Sequence, residues 1–227
     1  MIRVTENLRK IRDLLTESAL EAGRDPASVS LLAVTKKQPG GKIRKATAAG
    51  QRDFGENLVQ EALPKIAELS EEGLVWHFIG RLQSNKTRAV AEHFDWVHSI
   101  DNLKLAERLS KQRPAGTPPL NICIQVNVDH EGSKAGVSPV DLPELAKAVS
   151  ELPRLRLRGL MCIPAEREEF EEQRKPFRIL RELSEFLASK DLRTDTLSMG
   201  MSADYRAAIF EGATIVRIGT AVFGERK

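Results

Sequence analysis

Short apolar runs alternate along the chain with longer stretches in which apolar residues recur every three or four positions. Short runs bounded by turn residues are typical of buried β-strands, and the longer period is typical of amphipathic helices. The pattern predicts eight strands, at residues 30–35, 53–55, 75–80, 96–100, 121–128, 157–163, 196–199 and 214–218. Each of the first seven strands is followed by a helical pattern, and one more helix precedes the first strand.

Glycine residues mark the predicted ends of the first two helices. The helix before the first strand places Leu8, Ile11 and Leu15 on one face and ends near Gly23. The next helix ends at Gly50, and the others are predicted at residues 57–71, 83–93, 103–111, 141–150, 176–189 and 203–211.

This regular alternation indicates an α/β fold with a parallel sheet and helices outside it. Eight strand–helix units in 227 residues favour a closed (β/α)8 TIM barrel over an open doubly wound sheet. The first strand is not followed by the G-x-G-x-x-G pattern of dinucleotide-binding folds, and this argues against the doubly wound alternative. Because no Pro-, Gly- or Ser-rich linker divides the chain, we expect residues 1–227 to form a single domain.

Composition excludes several classes of protein. The 30% of charged residues and the lack of a long apolar run argue against a membrane protein. The net charge of +3 comes from basic residues that are mostly interleaved with acidic ones, so a nucleic-acid surface is not favoured. Cys123 and Cys162 lie in apolar segments and are expected to be buried thiols, and no Cys/His spacing indicates zinc. We therefore expect no metal site and a reducing, cytoplasmic location.

In a barrel of this kind, reactive groups gather at the carboxyl ends of the strands. Lys36 directly follows the apolar run of the first strand. A lysine that is partly desolvated at the barrel mouth has a lowered pKa, and its free amine can form a Schiff base with a carbonyl compound. The alternative is a strand-end lysine whose ammonium group simply reaches solvent.

The last strand offers a candidate site for a phosphate group. Arg217 lies among apolar residues, where an arginine without a partner is costly. Gly219 and Thr220 follow it with backbone amides and a hydroxyl, in the region where barrels frequently bind phosphate. The alternative is a glycine at a strand end and an arginine in a surface salt bridge.

The loop after the seventh strand adds to this candidate site. Ser198 and Ser202 flank Gly200, and Ser202 is expected to cap the helix that starts at residue 203. A helix N-terminus that begins with serine also binds anions, so both roles could coexist. Asn57 and His77 are weaker candidates, because Asn57 could merely start a helix and His77 could face into or out of the barrel.

Long motifs run through the chain, namely "LLAVTKKQP", "FGENLVQEA", "WHFIGRLQSNK", "SIDNLKLAERL", "IQVNVDHEGSKAGV", "RGLMCIP" and "LSMGMSADYRAAIFEGATIVRIGTAVFGER". In these motifs, from Leu8 to Arg226, the chain resembles the YggS/PROSC family, the pyridoxal phosphate homeostasis proteins. The resemblance implies a fold-type III barrel, like the N-terminal domain of bacterial alanine racemase, that binds pyridoxal 5′-phosphate (PLP) as its cofactor.

The resemblance also implies roles for individual residues. Lys36 would carry PLP as a Schiff base, and Arg217 would face the pyridine nitrogen. Other groups would surround the cofactor: the amides of Gly219 and Thr220 at its phosphate, with the hydroxyls of Ser198 and Ser202 and the Gly200 turn nearby. Asn57 would line the mouth, and His77 would be a further, weaker member of the site.

These residues predict a carrier of PLP rather than a catalyst. An arginine stays protonated, so a pyridine nitrogen opposite Arg217 stays unprotonated and the ring is a poor electron sink. Alanine racemases share this arginine but add a catalytic tyrosine from a second domain and a partner subunit. Here Tyr205 is the only tyrosine, and the sequence ends at Lys227, soon after the last strand. We therefore expect no catalytic residue of the racemase kind.

The expected function is to hold PLP reversibly and to buffer and supply it in the cell. The protein would act as a monomer, and apo forms of PLP-dependent enzymes would receive the cofactor. One alternative is a PLP-dependent amino-acid racemase or another weak PLP enzyme. A third function, which rests on the barrel alone, is a Schiff-base aldolase that acts on phosphorylated sugars.

Overall fold

The eight predicted strands close into a barrel. The computed structural model describes residues 4–129 and 135–224, and the structural statements below concern these residues. The strands are β1 (Ser30–Val34), β2 (Asp53–Glu56), β3 (Val75–Phe78), β4 (Trp96–Ile100), β5 (Leu120–Gln125), β6 (Leu155–Met161), β7 (Thr196–Ser198) and β8 (Ile215–Ile218). Each strand pairs in parallel with the next along the chain, and β8 pairs with β1. The predicted (β/α)8 barrel is confirmed.

Helices cover the outside of the barrel. They are α1 (Val4–Glu21), α2 (Gly40–Ala48), α3 (Val59–Glu68), α4 (Thr87–His93), α5 (Leu103–Gln112), α6 (Leu142–Ser150), α7 (Phe170–Ala188), α8 (Tyr205–Phe210) and α9 (Thr220–Phe223), with short 3₁₀ turns at Pro26–Ser28 and Ser70–Glu72. The extra helix α1 packs against α2, α8 and α9, where β1 meets β8. Within the described ranges, no helix has the length and apolar character needed to cross a membrane.

Alternate residues of each strand face the two sides of the barrel wall. In β1, Leu31 and Ala33 join the large apolar core between the strands and the helices. Leu32 instead faces the interior, where its side chain lies against Gly55 of β2. Arg217 is paired in register with Leu32, so Arg217 also faces the interior.

Several helices differ from the sequence predictions, and α4, for example, begins at Thr87 rather than at residue 83. α7 begins at Phe170, and Pro176 lies inside it, although proline is most common in the first turn. Burial of Pro176 and Phe177 in the core offsets the backbone hydrogen bond that the proline cannot make. α8 begins at Tyr205 rather than at residue 203. β8 is followed by α9, which is too short to show a helical period in the sequence.

Candidate functional site

Lys36 lies in the turn that follows β1, at the carboxyl end of the barrel, and is partly buried. The residue before it extends the strand ladder, since the Thr35 N–H donates to Gly55 O at 2.9 Å. The residue after it, Lys37, has a φ of 58°, in the left-handed region, so the chain turns sharply away from the strand. Lys36 has the same phase as Leu32, which places it on the inner side of the mouth.

Gly219 brings the end of β8 against the end of β1. A Cβ built on Gly219 would lie 3.1 Å from the carbonyl oxygen of Val34 and 3.3 Å from its Cβ, so a larger residue would press the strand ends apart. The carbonyl of Gly219 accepts the Val222 amide at 3.0 Å as α9 begins. The amides of the first helical residues, beginning with Thr220, have no acceptor within the helix. Gly219 and Thr220 thus lie beside the turn that carries Lys36.

The loop after β7 lies directly against β8. Gly200 has a φ of 91°, and its carbonyl accepts the backbone N–H of Arg217 at 2.9 Å. A Cβ on Gly200 would lie 2.6 Å from Ala208 Cβ, so both the backbone conformation and the packing require glycine. The Met201 amide donates to Asp204 Oδ1 at 2.6 Å. These contacts fix the loop at the carboxyl end of the barrel.

Ser202 is exposed in this loop and does not cap α8. α8 begins at Tyr205, with Asp204 in the N-cap position. The amides of Asp204 and Tyr205 both donate to Met201 O, which forms a separate turn before the helix. The predicted capping role of Ser202 is wrong, because this turn contains the residues that were expected to start the helix.

Arg217 is held in one orientation inside the barrel and is only 4% exposed. Its Nη1 donates to Ser198 O at 2.6 Å and to Ser198 Oγ at 2.9 Å, and its Nη2 donates to Cys162 O at 2.9 Å. Burial lowers the pKa of the Arg217 guanidinium, and nearby Cys162 and Asp204 oppose this shift. An arginine nevertheless stays protonated in a protein, so a permanent cation lies below the mouth. Cys123 and Cys162 are both buried, as predicted.

Hydrogen bonds continue from Arg217 through the barrel core. Ser198 Oγ lies 2.8 Å from His98 Nδ1, His98 Nε2 lies 2.9 Å from His77 Nδ1, and His77 Nε2 lies 3.1 Å from Asp53 Oδ1. Burial holds the pKa of His98 well below its usual value, and the charges of His77 and Arg217 act in the same direction. His98 is therefore neutral. We call these five residues the core hydrogen-bond chain.

The two ends of the core hydrogen-bond chain fix the direction of its bonds. Arg217 can only donate, so the Ser198 hydroxyl oxygen accepts from it, and the hydroxyl proton is available for His98 Nδ1. A carboxylate accepts hydrogen bonds, so His77 Nε2 is the donor to Asp53 Oδ1. A neutral His98 then donates from Nε2 to His77 Nδ1. With these directions, each ring nitrogen of His77 and His98 has one hydrogen-bond partner.

Two predicted site residues therefore lie below the mouth rather than at it. His77 is 2% exposed, and its ring stacks on Trp96 with centroids 5.3 Å apart. Ser198 is 0% exposed, and its hydroxyl is engaged by Arg217 and His98. The predicted roles of Ser198 and His77 at the cofactor stay predictions. Inward-facing strand residues lie in layers, and these two fill layers below the loops.

Asn57 lies beside a cavity of about 820 Å³ on the same end of the barrel. The cavity is formed by the loops after β2, β3 and β4, and Gly80 and Arg81 also line it. Asn57 Oδ1 is buried and has no hydrogen-bond partner among the described residues. A Cβ on Gly80 would lie 2.1 Å from Asn57 O, so the two loops touch at this point. Asn57 thus holds an unused acceptor at the side of the mouth.

Sequence reasoning missed two members of the core hydrogen-bond chain, Asp53 and His98. Both lie in predicted strands, and the alternation of β4 could have placed His98 on the inner side. It also missed Glu61 and Lys65 of α3. Over residues 4–129 and 135–224, no cluster of His, Cys, Asp or Glu side chains is arranged to hold a metal ion.

Comparison with known proteins identifies the family. The family model for the alanine racemase N-terminal domain matches residues 3–227. The pyridoxal phosphate homeostasis protein of Pseudomonas aeruginosa is 60% identical over 226 residues, which cover 100% of this chain and 97% of that protein. The chain belongs to the pyridoxal phosphate homeostasis protein family. The member from Escherichia coli K12 is 53% identical over 229 residues, which cover 98% of this chain and 97% of that protein.

Two solved structures have a similar fold over almost the whole of this chain. PipY of Synechococcus elongatus, solved with PLP bound, has a TM-score of 0.85 and 40% identity, over 97% of this chain and 100% of that chain. Alanine racemase of Corynebacterium glutamicum has a TM-score of 0.71 and 15% identity, over 99% of this chain and 60% of that chain. The likeness to the racemase shows the fold alone. The family and the fold that the motifs implied are both confirmed.

Proposed function

We propose that this chain binds pyridoxal 5′-phosphate at the barrel mouth, as a reversible Schiff base on Lys36, and holds and supplies it without strong catalysis. The strongest support for this proposal is the fixed cation of Arg217. The Arg217 side chain faces the barrel interior next to β1, the strand that leads to Lys36. The names of the relatives, and the PLP bound in PipY, support the same cofactor.

The groups at the mouth fit the parts of PLP. Arg217 would face the pyridine nitrogen, and Asn57, with its unpaired Oδ1, would line one side. Backbone amides and hydroxyls in tight turns bind anions, so the loops after β7 and β8 suit the phosphate. The residues that would hold it are Gly200, Ser202, Gly219 and Thr220.

Ser198 and His77 support this site from below instead of contacting the phosphate. The core hydrogen-bond chain orients Arg217, and that arginine keeps a donor opposite the pyridine nitrogen, which stays unprotonated. PLP supplies an aldehyde that condenses with an amine, with loss of water, and a ring that accepts electrons. The ring accepts electrons less well when its nitrogen is unprotonated, which favours holding over carbanion chemistry.

Tyr205, the only tyrosine of the sequence, gives Lys36 no catalytic partner in this arrangement. It lies at the start of α8, where burial raises the pKa of its phenol. The charge of Arg206 lowers this pKa, and the charges of Glu17 and Glu21 raise it. Glu17 and Glu21 belong to α1, outside the barrel, so the phenol faces the helix layer. This position supports a carrier over a racemase.

We further propose that the carrier acts as a cytoplasmic monomer in vitamin B6 homeostasis. A second amine can replace Lys36 on the cofactor, which makes the attachment reversible. Apo forms of PLP-dependent enzymes, whose own lysines are such amines, are the partners that would receive PLP.

One experiment separates holding from catalysis. Purified protein is loaded with PLP, and its visible absorbance is compared with that of Lys36→Ala and of the control Lys37→Ala. The loaded protein is then incubated with L-alanine, whose optical activity is followed, and with an apo-enzyme. We expect the absorbance to vanish only in Lys36→Ala, L-alanine to keep its optical activity, and the apo-enzyme to become active. Steady multiple turnover of L-alanine would overturn the carrier function.

A further inference from the structure

Lys65 of α3 is a buried cation with three oxygen partners. Its side chain is 10% exposed, and its Nζ donates to Thr35 O at 2.8 Å, to Glu56 Oε1 at 2.7 Å and to Glu61 Oε1 at 2.8 Å. Thr35 Oγ1 also donates to Glu56 Oε1, at 2.6 Å. An ion-paired cluster thus joins β2, α3 and the end of β1 next to the mouth.

This cluster holds both peptide groups that flank Lys36. The carbonyl of Thr35 belongs to the peptide group before Lys36, and it accepts from Lys65. The N–H of Lys37 belongs to the peptide group after it, and it donates to Glu61 Oε1. Peptide groups are planar, so fixing the two around one Cα fixes both backbone dihedrals there. One ion pair, Glu61 with Lys65, therefore sets the backbone of Lys36.

The cluster is costly to bury. Glu56 is 0% exposed, and its Oε2 has no hydrogen-bond partner among the described residues. Burial raises the pKa of Glu56, against the opposing effect of Lys65. Buried ion pairs are often no more stabilising than apolar side chains of similar volume. Lys37, held by the same cluster, also has a left-handed φ that residues other than glycine avoid. These unfavourable features all lie beside Lys36.

A second set of contacts fixes the far side of the same turn. Gln38 is 5% exposed, and its Oε1 accepts from Lys42 Nζ at 2.7 Å. Lys42 Nζ also donates to Phe223 O of α9 at 2.9 Å. The turn that carries Lys36 is therefore joined on one side to α3 and on the other to α9, which begins at the candidate phosphate ligand Thr220.

We propose that Glu56, Glu61 and Lys65, the Lys36 clamp, are positioning residues that fix the Lys36 backbone and thereby aim its amine into the mouth. This inference rests on the proposed function for its consequence. A fixed amine has a high effective concentration at the cofactor, so the clamp slows the loss of PLP and sets how readily another amine takes it.

Glu61→Met tests the clamp with the least damage, because the Glu61 side chain is 24% exposed and the buried pair beneath it stays in place. Glu61→Gln is the conservative variant, since it keeps an oxygen that can accept from the Lys37 amide but loses the charge. Glu211→Gln is the matched control. Glu211 is 2% exposed and pairs with Arg174 of α7 at 2.7 Å, so this variant also disturbs a buried ion pair.

Each variant is measured in two states. Cofactor-free protein gives the hydrogen-exchange rate of the Lys37 amide and the rate at which an amine reagent labels Lys36, located by peptide mass. PLP-loaded protein gives the rate of PLP release to a trap. For Glu61→Met we expect faster exchange, a changed labelling rate and release about tenfold faster, with Glu61→Gln between it and the native protein. Glu211→Gln should lower the Tm and leave the exchange, labelling and release rates native.

Native exchange, labelling and release rates in Glu61→Met would refute the clamp. Equal effects of Glu211→Gln would also refute it, because they would reflect a general loss of stability. If the native protein does not carry PLP on Lys36, the proposed function fails. Exchange and labelling in cofactor-free protein still decide the clamp in that case.

Discussion

At the scale of single residues, Arg217 takes its orientation from groups that lie below it. Two serine oxygens and the Cys162 carbonyl accept from its guanidinium. The same serine hydroxyl is also hydrogen-bonded to His98. A buried cation without such partners would be costly, whereas these three bonds hold the guanidinium rigidly and leave it N–H groups that can still donate. The direction in which Arg217 faces thus depends on residues that never reach the mouth.

Removing the Ser198 hydroxyl should destabilise the fold and loosen Arg217. In Ser198→Ala, His98 Nδ1 loses its donor, and a buried polar group left without a partner costs about 1–3 kcal/mol. We expect the free energy of unfolding in urea to fall by about that amount and the spectrum of bound PLP to shift. Ser150→Ala removes an exposed hydroxyl on α6 and should change neither. Native stability of Ser198→Ala would show that this hydroxyl supports nothing.

His98 should make stability depend on pH. Burial keeps the pKa of His98 low in the folded protein, whereas the unfolded chain takes up a proton below about pH 6.5. The unfolded state then binds more protons, so stability is lost as the pH falls, with a slope approaching about 1.4 kcal/mol per pH unit. Denaturation between about pH 7 and pH 5 measures this slope, and His98→Gln should flatten it.

Two acidic residues oppose the effect of His98 on the pH dependence of stability, so the native protein must be compared with His98→Gln. Burial raises the pKa of Glu56 and of Asp204, and both shifts favour the folded state as the pH falls. They are present in the native protein and in His98→Gln alike. His93→Gln, exposed at the end of α4, is the control and should keep the native slope. Equal slopes in the native protein and His98→Gln would mean that His98 is not kept neutral.

At the scale of elements, β6 and β7 approach each other closely because of Gly159. A Cβ there would lie 1.8 Å from the carbonyl oxygen of Thr196, the residue paired with it. Overpacking of this kind costs about 1–3 kcal/mol or more, so Gly159→Ala should lower the urea midpoint. Gly41→Ala in α2 is the control, because nothing lies within 4 Å of the added Cβ. Alanine should stabilise that helix by up to about 1 kcal/mol. Equal midpoints for the two variants would contradict this reading of the strand contact.

The strands were predicted more accurately than the helix starts. A buried strand is a short apolar run, and all eight runs became strands. Pro176 and Ser202 have strong local preferences for a helix start, but tertiary contacts override such preferences. Burial of Phe177 extends α7 beyond its proline, and the turn at Met201 delays α8.

The candidate site was predicted in part. Lys36, Gly200 and Gly219 lie at the carboxyl end of the barrel, because the ends of parallel strands can be read from the sequence. His77 and Ser198 lie below the loops, and this depth could not be predicted, because the layer of an inward residue depends on the stagger between strands, which no local pattern contains. His98 meets Ser198 across 100 residues of sequence, so only the closed barrel brings the two together.

At the scale of the whole molecule, the barrel separates two kinds of interior. Apolar residues fill the space between strands and helices, whereas the core hydrogen-bond chain crosses the inside of the strands. The loops at the carboxyl end close over the upper end of that chain. This arrangement places a fixed cation under the mouth and a clamped lysine at its edge. Two expectations stay predictions: residues 1–227 form one domain, and the protein acts as a monomer.

Borohydride reduction of PLP-loaded protein, followed by peptide mass analysis, tests most directly whether the mouth holds the cofactor on Lys36. Reduction converts the Schiff base into a stable amine, so the attached residue can be identified. The expected adduct lies on Lys36 and on no other lysine, is absent from Lys36→Ala and persists in Lys37→Ala. An adduct on a different lysine, or none in the loaded native protein, would contradict the proposed site.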